Sequence, residues 1–238
     1  MTIYGDHHRT FVQVMLSRKV IFVRELEDVI RSCHEKFSVP CFAVDNQQQL
    51  AKFISDINAV ISSFHMRIKG GVSEDNGSHF YALLNMKNDE LSKRATKFSP
   101  NEMKFFKKLV VKIVESDTGS IASTEVLNSV YEDNEETLKL SAAEDLLSRM
   151  TELGCLVQNE GKISFGPLAQ LELEPYLREY FGDDLPKCHV CKQMCIKGVL
   201  CPNPDCSVKI HRHCAASMGR SGRSTSSCCP RCKQAWEQ

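Results

Sequence analysis

Nine of the twelve cysteines fall between Cys188 and Cys232, and eight positions there read C-x2-C-x9-C-x4-C-x4-H-x2-C-x14-C-x2-C: Cys188, Cys191, Cys201, Cys206, His211, Cys214, Cys229 and Cys232. Structural zinc takes four tetrahedral sulfur or imidazole ligands, and a two-residue gap lets both side chains of a tight turn reach one ion. Three of the four ligand pairs have that gap and the remaining pair has x4, so the pattern is that of two Zn2+ sites. Twelve cysteines could also pair as disulfides. Against that, Met1 to Arg18 mixes Asp6, His7, His8 and Arg9 with apolar positions and is no secretory signal peptide. C-x2-C also suits a shared metal better than a bridge. The compartment expected is a reducing one, cytosol or nucleus. Cys195, in mid-loop, and Cys228, abutting Cys229, read as free thiols. His211 keeps the two-residue gap to Cys214, whereas His213 adjoins it, and His189, inside the first pair, reads as exposed.

These ligands sit at the end of a chain of 238 residues, 42% hydrophobic and 25% charged, values of a soluble globular protein of one to three domains. No segment approaches the ~20 apolar residues needed to cross a bilayer, so no membrane partner is expected. From Lys187 onward, nine basic residues stand against Asp205 and Glu237, a formal +7, which leaves −7 for the rest. Seven thiolates and two Zn2+ would bring the tail to about +4. That is a modest patch, consistent with a solvated surface and, at most, a weak DNA contact.

Ahead of the ligands, one order of elements occurs twice. Arg9 to Ser17 and Arg24 to Phe37 carry apolar residues at helical spacing, and Asp45 is expected to cap a third helix bearing Leu50, Phe53, Ile54, Ile57, Val60, Ile61 and Phe64. Met66 to Val72 and His79 to Met86 then read as strands around Glu74-Asp75-Asn76-Gly77. The second stretch opens at Ser99-Pro100-Asn101-Glu102, a capping box with proline at the first helical position. A short helix follows near Thr124 to Val130, then one starting at Ser141 with Glu144 as box partner and ending at Gly154. Cys155 to Gln158 and Lys162 to Phe165 flank the turn Asn159-Glu160-Gly161. Three helices and a two-stranded wing, twice, is the winged-helix variant of helix-turn-helix. Pro167 to Phe181 reads as one further helix and Gly182 to Pro186 as a linker. The fold class expected is α+β: winged-helix domains over 1–95 and 96–184, then a zinc module over 185–238.

A groove-reading third helix carries Arg, Lys, Asn or Gln toward base edges and phosphates. Here the first has Lys52 against Asp45 and Asp56, with Gln47 to Gln49 near its start. The second has Arg149 against Glu144, Asp145 and Glu152. Acidic residues near phosphate add repulsion, so protein docking is the expected use of these domains.

Four cysteines, one histidine and three cysteines fit both RING and PHD fingers. A PHD finger usually has an aromatic residue two positions before its seventh ligand, where this chain has Ser227. The ending Cys229-Pro230-Arg231-Cys232-Lys233 resembles RING fingers instead, as does apolar Val190 between the first two ligands. With two winged helices, histidine as fifth ligand and a close on Cys-Pro-x-Cys-x-x-x-Trp at Trp236, essentially the whole chain resembles the non-SMC element one family. The departure is the x4 gap between Cys201 and Cys206, which holds Pro202 and Pro204 where x2 is commoner. The resemblance implies a nuclear, chromosomal RING-type ubiquitin ligase subunit of an SMC-family DNA-repair complex, with a MAGE-type subunit and a kleisin as partners. It also implies a cross-brace, in which the first and third ligand pairs share one ion and the second and fourth the other. Val190, Pro230 and Lys233 would then contact a ubiquitin-conjugating enzyme and its ubiquitin, lysine standing where many RING ligases use arginine. Two other classes compete with the ligase: a non-catalytic zinc-stabilised scaffold binding the MAGE-type partner, and a DNA-binding architectural protein.

Overall fold

The computed structural model describes residues 4–86, 98–131, 138–220 and 228–235. The chain divides into two compact units, Met1–Val72 with Ser78–Lys97 and Pro167–Glu172, and Ser73–Gly77 with Phe98–Gly166 and Leu173–Gln238.

In the first unit the order is α1 (Asp6–Arg18), β1 (Val20–Phe22), α2 (Val23–Glu35), α3 (Gln47–Ile61), β2 (Met66–Val72) and β3 (His79–Asn85). Phe11, Met15, Leu26, Ile30, Phe53 and Ile57 meet Ile68 and Leu83 of the hairpin in one buried cluster. Asn58 fixes α3 on β2, donating to the Ile68 carbonyl at 2.9 Å and accepting the Ile68 N–H at 2.7 Å. Three expectations change here. The cap of α3 is Asn46, whose side chain accepts the Gln49 N–H at 2.9 Å, and not Asp45. The apolar stripes stop earlier than expected: α2 ends at Glu35 and α3 at Ile61, leaving Phe37 and Phe64 exposed beyond them. The sheet has a third strand, β1, paired with β3 in register Val20 to Ala82 and giving the order β1-β3-β2. Three residues are too few to display a period of two.

The second unit repeats the plan with α4 (Pro100–Glu115), β4 (Ser120–Ala122), α5 (Ser123–Asn128), α6 (Leu140–Glu152), β5 (Leu156–Asn159) and β6 (Lys162–Phe165), sheet order β4-β6-β5. The capping box of α4 forms as expected: Ser99 Oγ accepts the Glu102 N–H at 3.2 Å and the Glu102 carboxylate accepts the Ser99 N–H at 2.6 Å. The Ser141–Glu144 box does not form, because α6 starts at Leu140 with Lys139 at its cap. Glu160 and Gly161 turn the wing with φ of 49° and 73°, the pairing that matches strand twist in a two-residue hairpin.

The helix expected over Pro167 to Phe181 is two helices, α7 (Pro167–Glu172) in the first unit and α8 (Glu174–Phe181) in the second. Pro175 has no N–H to return to the Leu171 carbonyl, so the ladder breaks at Leu173. The expected linker is built in: Gly182–Asp184 is a 3-10 turn, Leu185 is buried, and the Pro186 carbonyl accepts the Cys195 N–H at 2.8 Å. Beyond it lie β7 (Val199–Leu200), β8 (Lys209–Ile210) and α9 (Arg212–Arg220). Ala215 to Arg220 belong to α9, while Ser227 and Trp236 fall outside the described residues. Among the described residues no helix is long and apolar enough to cross a membrane.

Gly119, at φ +68°, backs onto the segment beside the candidate metal ligands: a Cβ there would stand 2.5 Å from the Ile196 carbonyl oxygen. Gly154 has a similar φ of +71° and nothing within 4 Å. Gly119→Ala is therefore expected to destabilise the second unit by about 2–3 kcal/mol, and Gly154→Ala by only the left-handed backbone cost of about 1 kcal/mol. Urea midpoints of the two variants at equal zinc content check the difference.

Candidate metal centre

Each ligand pair is presented by a short element. Cys188 and Cys191 lie on a tight turn whose Lys192 N–H returns to the Cys188 carbonyl at 2.9 Å, with Lys192 at φ +62°. Cys229 and Cys232 lie on a second turn of the same kind, closed by the Lys233 N–H on the Cys229 carbonyl at 3.0 Å with Lys233 at φ +64°. His211 and Cys214 flank the start of α9. The longer Cys201–Cys206 gap is taken up by a turn in which Asn203 accepts the Cys206 N–H on its carbonyl at 2.9 Å and the Asp205 N–H on its side chain at 3.0 Å.

The fold gathers the eight residues into two groups of four, Cys188, Cys191, His211, Cys214 and Cys201, Cys206, Cys229, Cys232, with donor atoms within 4.8 Å of one another in each. The grouping interleaves the first pair with the third and the second with the fourth. Two sulfurs each about 2.3 Å from one tetrahedral ion lie about 3.8 Å apart. The observed separations fit that figure: Cys206 to Cys229 is 3.7 Å, Cys201 to Cys232 3.4 Å, and His211 Nδ1 stands 3.4 Å from Cys191 Sγ and 3.8 Å from Cys214 Sγ. Disulfide sulfurs would be about 2.05 Å apart, and all twelve cysteines are unbridged. Two metal ions, consistent with two zinc ions, can be held here.

Electrostatics point the same way. Burial raises the Cys188 thiol, but the backbone N–H groups of Cys191, His211 and Val190 outweigh it and bring it down to about 7. The Gln234 N–H does the same for Cys232, to about 6. Burial and neighbouring thiols push Cys214 up to about 11 and Cys201 up to about 12. Each group thus ionises one sulfur readily and resists the next, which a dication among them reverses.

The near misses separate from the groups. Cys195 is fully buried, its Sγ 3.8 Å from the Lys197 carbonyl, and Cys228 is half-buried; neither joins a group. His213 stacks on His211 with ring centres 4.8 Å apart and lies outside both groups, and His189 is exposed. Val190 is 41% exposed between two ligands, Pro230 is half-buried, and exposed Lys233 points Nζ at the Pro230 carbonyl, 3.2 Å away. One residue beside the first group escaped the reading of the sequence. Glu74, in the hairpin turn between β2 and β3, is buried with its carboxylate 3.4 Å from His211 Nε2.

On the third helices, Arg149 is the one basic residue of α6 and is committed elsewhere. It bonds Glu102 and lies over the Phe98 ring, 5.1 Å from its centre. Lys52 is the one basic residue of α3.

Residues 8–173 match the family described as Nse1 non-SMC component of SMC5-6 complex, and residues 188–232 match a RING-like domain. A human protein named non-structural maintenance of chromosomes element 1 homolog is 32% identical over 99% of this chain and 86% of its own length. The element 1 protein of Schizosaccharomyces pombe is 25% identical over 77% of this chain and 75% of its own. A chain of a solved Nse1-Nse3-Nse4 complex superposes with a TM-score of 0.88 at 26% identity, covering 100% of this chain and 99% of that one.

Proposed function

The chain belongs to the Nse1 family of non-SMC components of SMC5-6 complexes, and from that membership we propose that it is the RING-type ubiquitin ligase subunit of such a complex, acting in DNA repair on nuclear chromosomes. Its partners would be an Nse3-type subunit of the MAGE class and an Nse4-type kleisin, the companions of the solved relative. The observation that carries the ligase reading is the pair of interleaved four-residue groups, with Val190 exposed between Cys188 and Cys191.

Bound zinc would supply the folding energy of the module, since four protein ligands per ion leave no open position for substrate. The chain's own part is positioning. Val190 and Pro230 offer apolar contact to a ubiquitin-charged conjugating enzyme, and Lys233 a hydrogen-bond donor to its ubiquitin. A substrate amine then forms the new C–N bond as the thioester C–S bond breaks on the conjugating enzyme, with this chain lowering the entropic cost of the attack-ready arrangement. Lysine lacks arginine's rigid fork, so intrinsic activity is modest and rises with the partner subunit. A scaffold reading is favoured by one observation: Lys233 Nζ is already bonded to its own turn.

Reconstituted ubiquitin transfer, with and without the MAGE-type partner, decides between them. Val190→Ala removes contact area and no ligand, so transfer should fall roughly 5-fold, about 1 kcal/mol, at unchanged zinc content. Lys233→Arg should preserve or raise it. Wild-type rates in Val190→Ala, under conditions where the wild type transfers ubiquitin, would leave the scaffold.

A further inference from the structure

We infer that Glu74, in the turn between β2 and β3, is a positioning residue for the first metal group, fixing His211 so that Nδ1 faces the thiolates. This rests on Cys188, Cys191, His211 and Cys214 holding one ion, which the metal content of the wild-type chain tests separately.

Glu74 is only 5% exposed, and a buried carboxylate is costly unless its oxygens are satisfied. Both are. Oε1 accepts the Ile196 N–H at 3.1 Å and stands 3.4 Å from His211 Nε2, while Oε2 accepts the Lys197 N–H at 2.6 Å. His211 turns Nδ1 toward Cys191 and Cys214 and places Nε2 2.9 Å from the Met194 carbonyl. The Nε2 proton is thus held by the Met194 carbonyl, with the Glu74 carboxylate in ion-pair reach at 3.4 Å and the Cys195 thiol also facing the ring. Only the tautomer with the proton on Nε2 leaves the Nδ1 lone pair for a metal. Glu74 also anchors the segment that carries the Met194 carbonyl, since the N–H groups it grips belong to Ile196 and Lys197, two and three residues on. Carboxylate–histidine–metal arrangements of this kind set ring orientation and raise ligand basicity, and removing the outer group typically weakens metal binding 10- to 100-fold.

The turn is seated closely. The Asp75 carboxylate holds Lys197 Nζ at 2.7 and 2.9 Å, and a Cβ on Gly77, at φ +72°, would stand 2.6 Å from His213 Cβ. A bland anchoring role for Glu74 would therefore be shared with Asp75, which grips the same segment without approaching His211. The two residues make a matched comparison.

The test uses the full chain loaded with Co2+, whose two sites absorb differently in the visible because one has three thiolates and an imidazole and the other four thiolates, and a chelator titrated against each band. Glu74→Ala should weaken the first site about 10- to 100-fold and leave the second within about 2-fold. Glu74→Gln, which keeps one acceptor oxygen and loses the charge, should fall between it and wild type. Asp75→Ala should stay within about 2-fold of wild type at both sites. Unchanged first-site affinity in both Glu74 variants, equal weakening of the two sites, or an Asp75→Ala loss as large as that of Glu74→Ala would each overturn the assignment. Should the Glu74 variants not fold, 15N NMR of His211 in the zinc-loaded wild type decides: a protected proton on Nε2 supports the assignment, and metal on Nε2 overturns it.

Discussion

Stripping metal from the folded chain with a strong chelator is expected to release about two zinc per chain and to unfold the residues from about 186 onward, while α1–α6 keep their protection. Among the described residues, the buried cluster around the ligands has eight members, six of them cysteines and two, Val208 and Ile210, aliphatic, with Met194 and Ile196 also buried in the module. Each such apolar side chain is worth about 1.5–3 kcal/mol when buried, against about 10–16 kcal/mol for each structural zinc at neutral pH. The ligands are the core. The helical parts differ in kind: the cluster around Phe11, Met15, Ile30, Phe53 and Ile57 contains no candidate ligand, and neither do the buried Phe105, Phe106, Leu146 and Met150 of the second unit.

The geometry adds where the unfolding should reach. The turn Ser73–Gly77 is held through Glu74 and Asp75 to Ile196 and Lys197, and Gly119 abuts Ile196. Amides of these two turns should lose hydrogen-exchange protection with the zinc module, although they lie far from it in sequence. Metal analysis giving one ion or none, or loss of protection throughout α1–α6 at the same chelator concentration, would contradict the two-site reading.

What the sequence made legible follows from how local each signal is. Paired cysteines two residues apart declare a shared ion because both ligands belong to one turn, and Ser99 with Glu102 declares a helix start because both halves of the cap lie within four residues. The strands β1 and β4 have no such signature: each is three residues long and exists because a wing strand offers a free edge, β3 to Val20–Phe22 and β6 to Ser120–Ala122. Glu74 was hidden for the same reason taken further. In a Glu-Asp-Asn-Gly turn it looks like any exposed turn acid, and the N–H groups that bury it lie 122 and 123 residues along the chain. The break at Leu173 was within reach, since Pro175 announces it, but the apolar spacing on both sides is continuous enough to read as one helix.

The first unit should lose stability on mild acidification through a histidine that the sequence did not single out. His8 is 1% exposed, stacked between Tyr4 and Phe53 with His7 3.9 Å away, and its Nδ1 accepts the Gly5 N–H at 3.1 Å. Burial, then the neighbouring His7 and His34, lower its pKa to about 4, only partly opposed by Asp56; burial also lowers His7, which Asp6 opposes. Protonation at Nδ1 would set two donors face to face at Gly5. The folded pKa lies below the unfolded value of about 6.5, so between these values the unfolded chain binds more protons. The stabilisation is full above about pH 6.5 and is lost as pH falls toward 4, by about 2–3 kcal/mol for this one group. Protection factors of the α1–α3 amides, corrected for intrinsic exchange, should fall over that window in the wild type. In His8→Phe, which keeps the aromatic stack and has no proton to bind, the fall should be smaller by that amount. Zinc loss on acidification would affect both proteins alike, so the difference between them isolates His8. A His8 imidazole titrating near 6.5 by NMR, or identical pH profiles for the two proteins, would remove the histidine from the acid response.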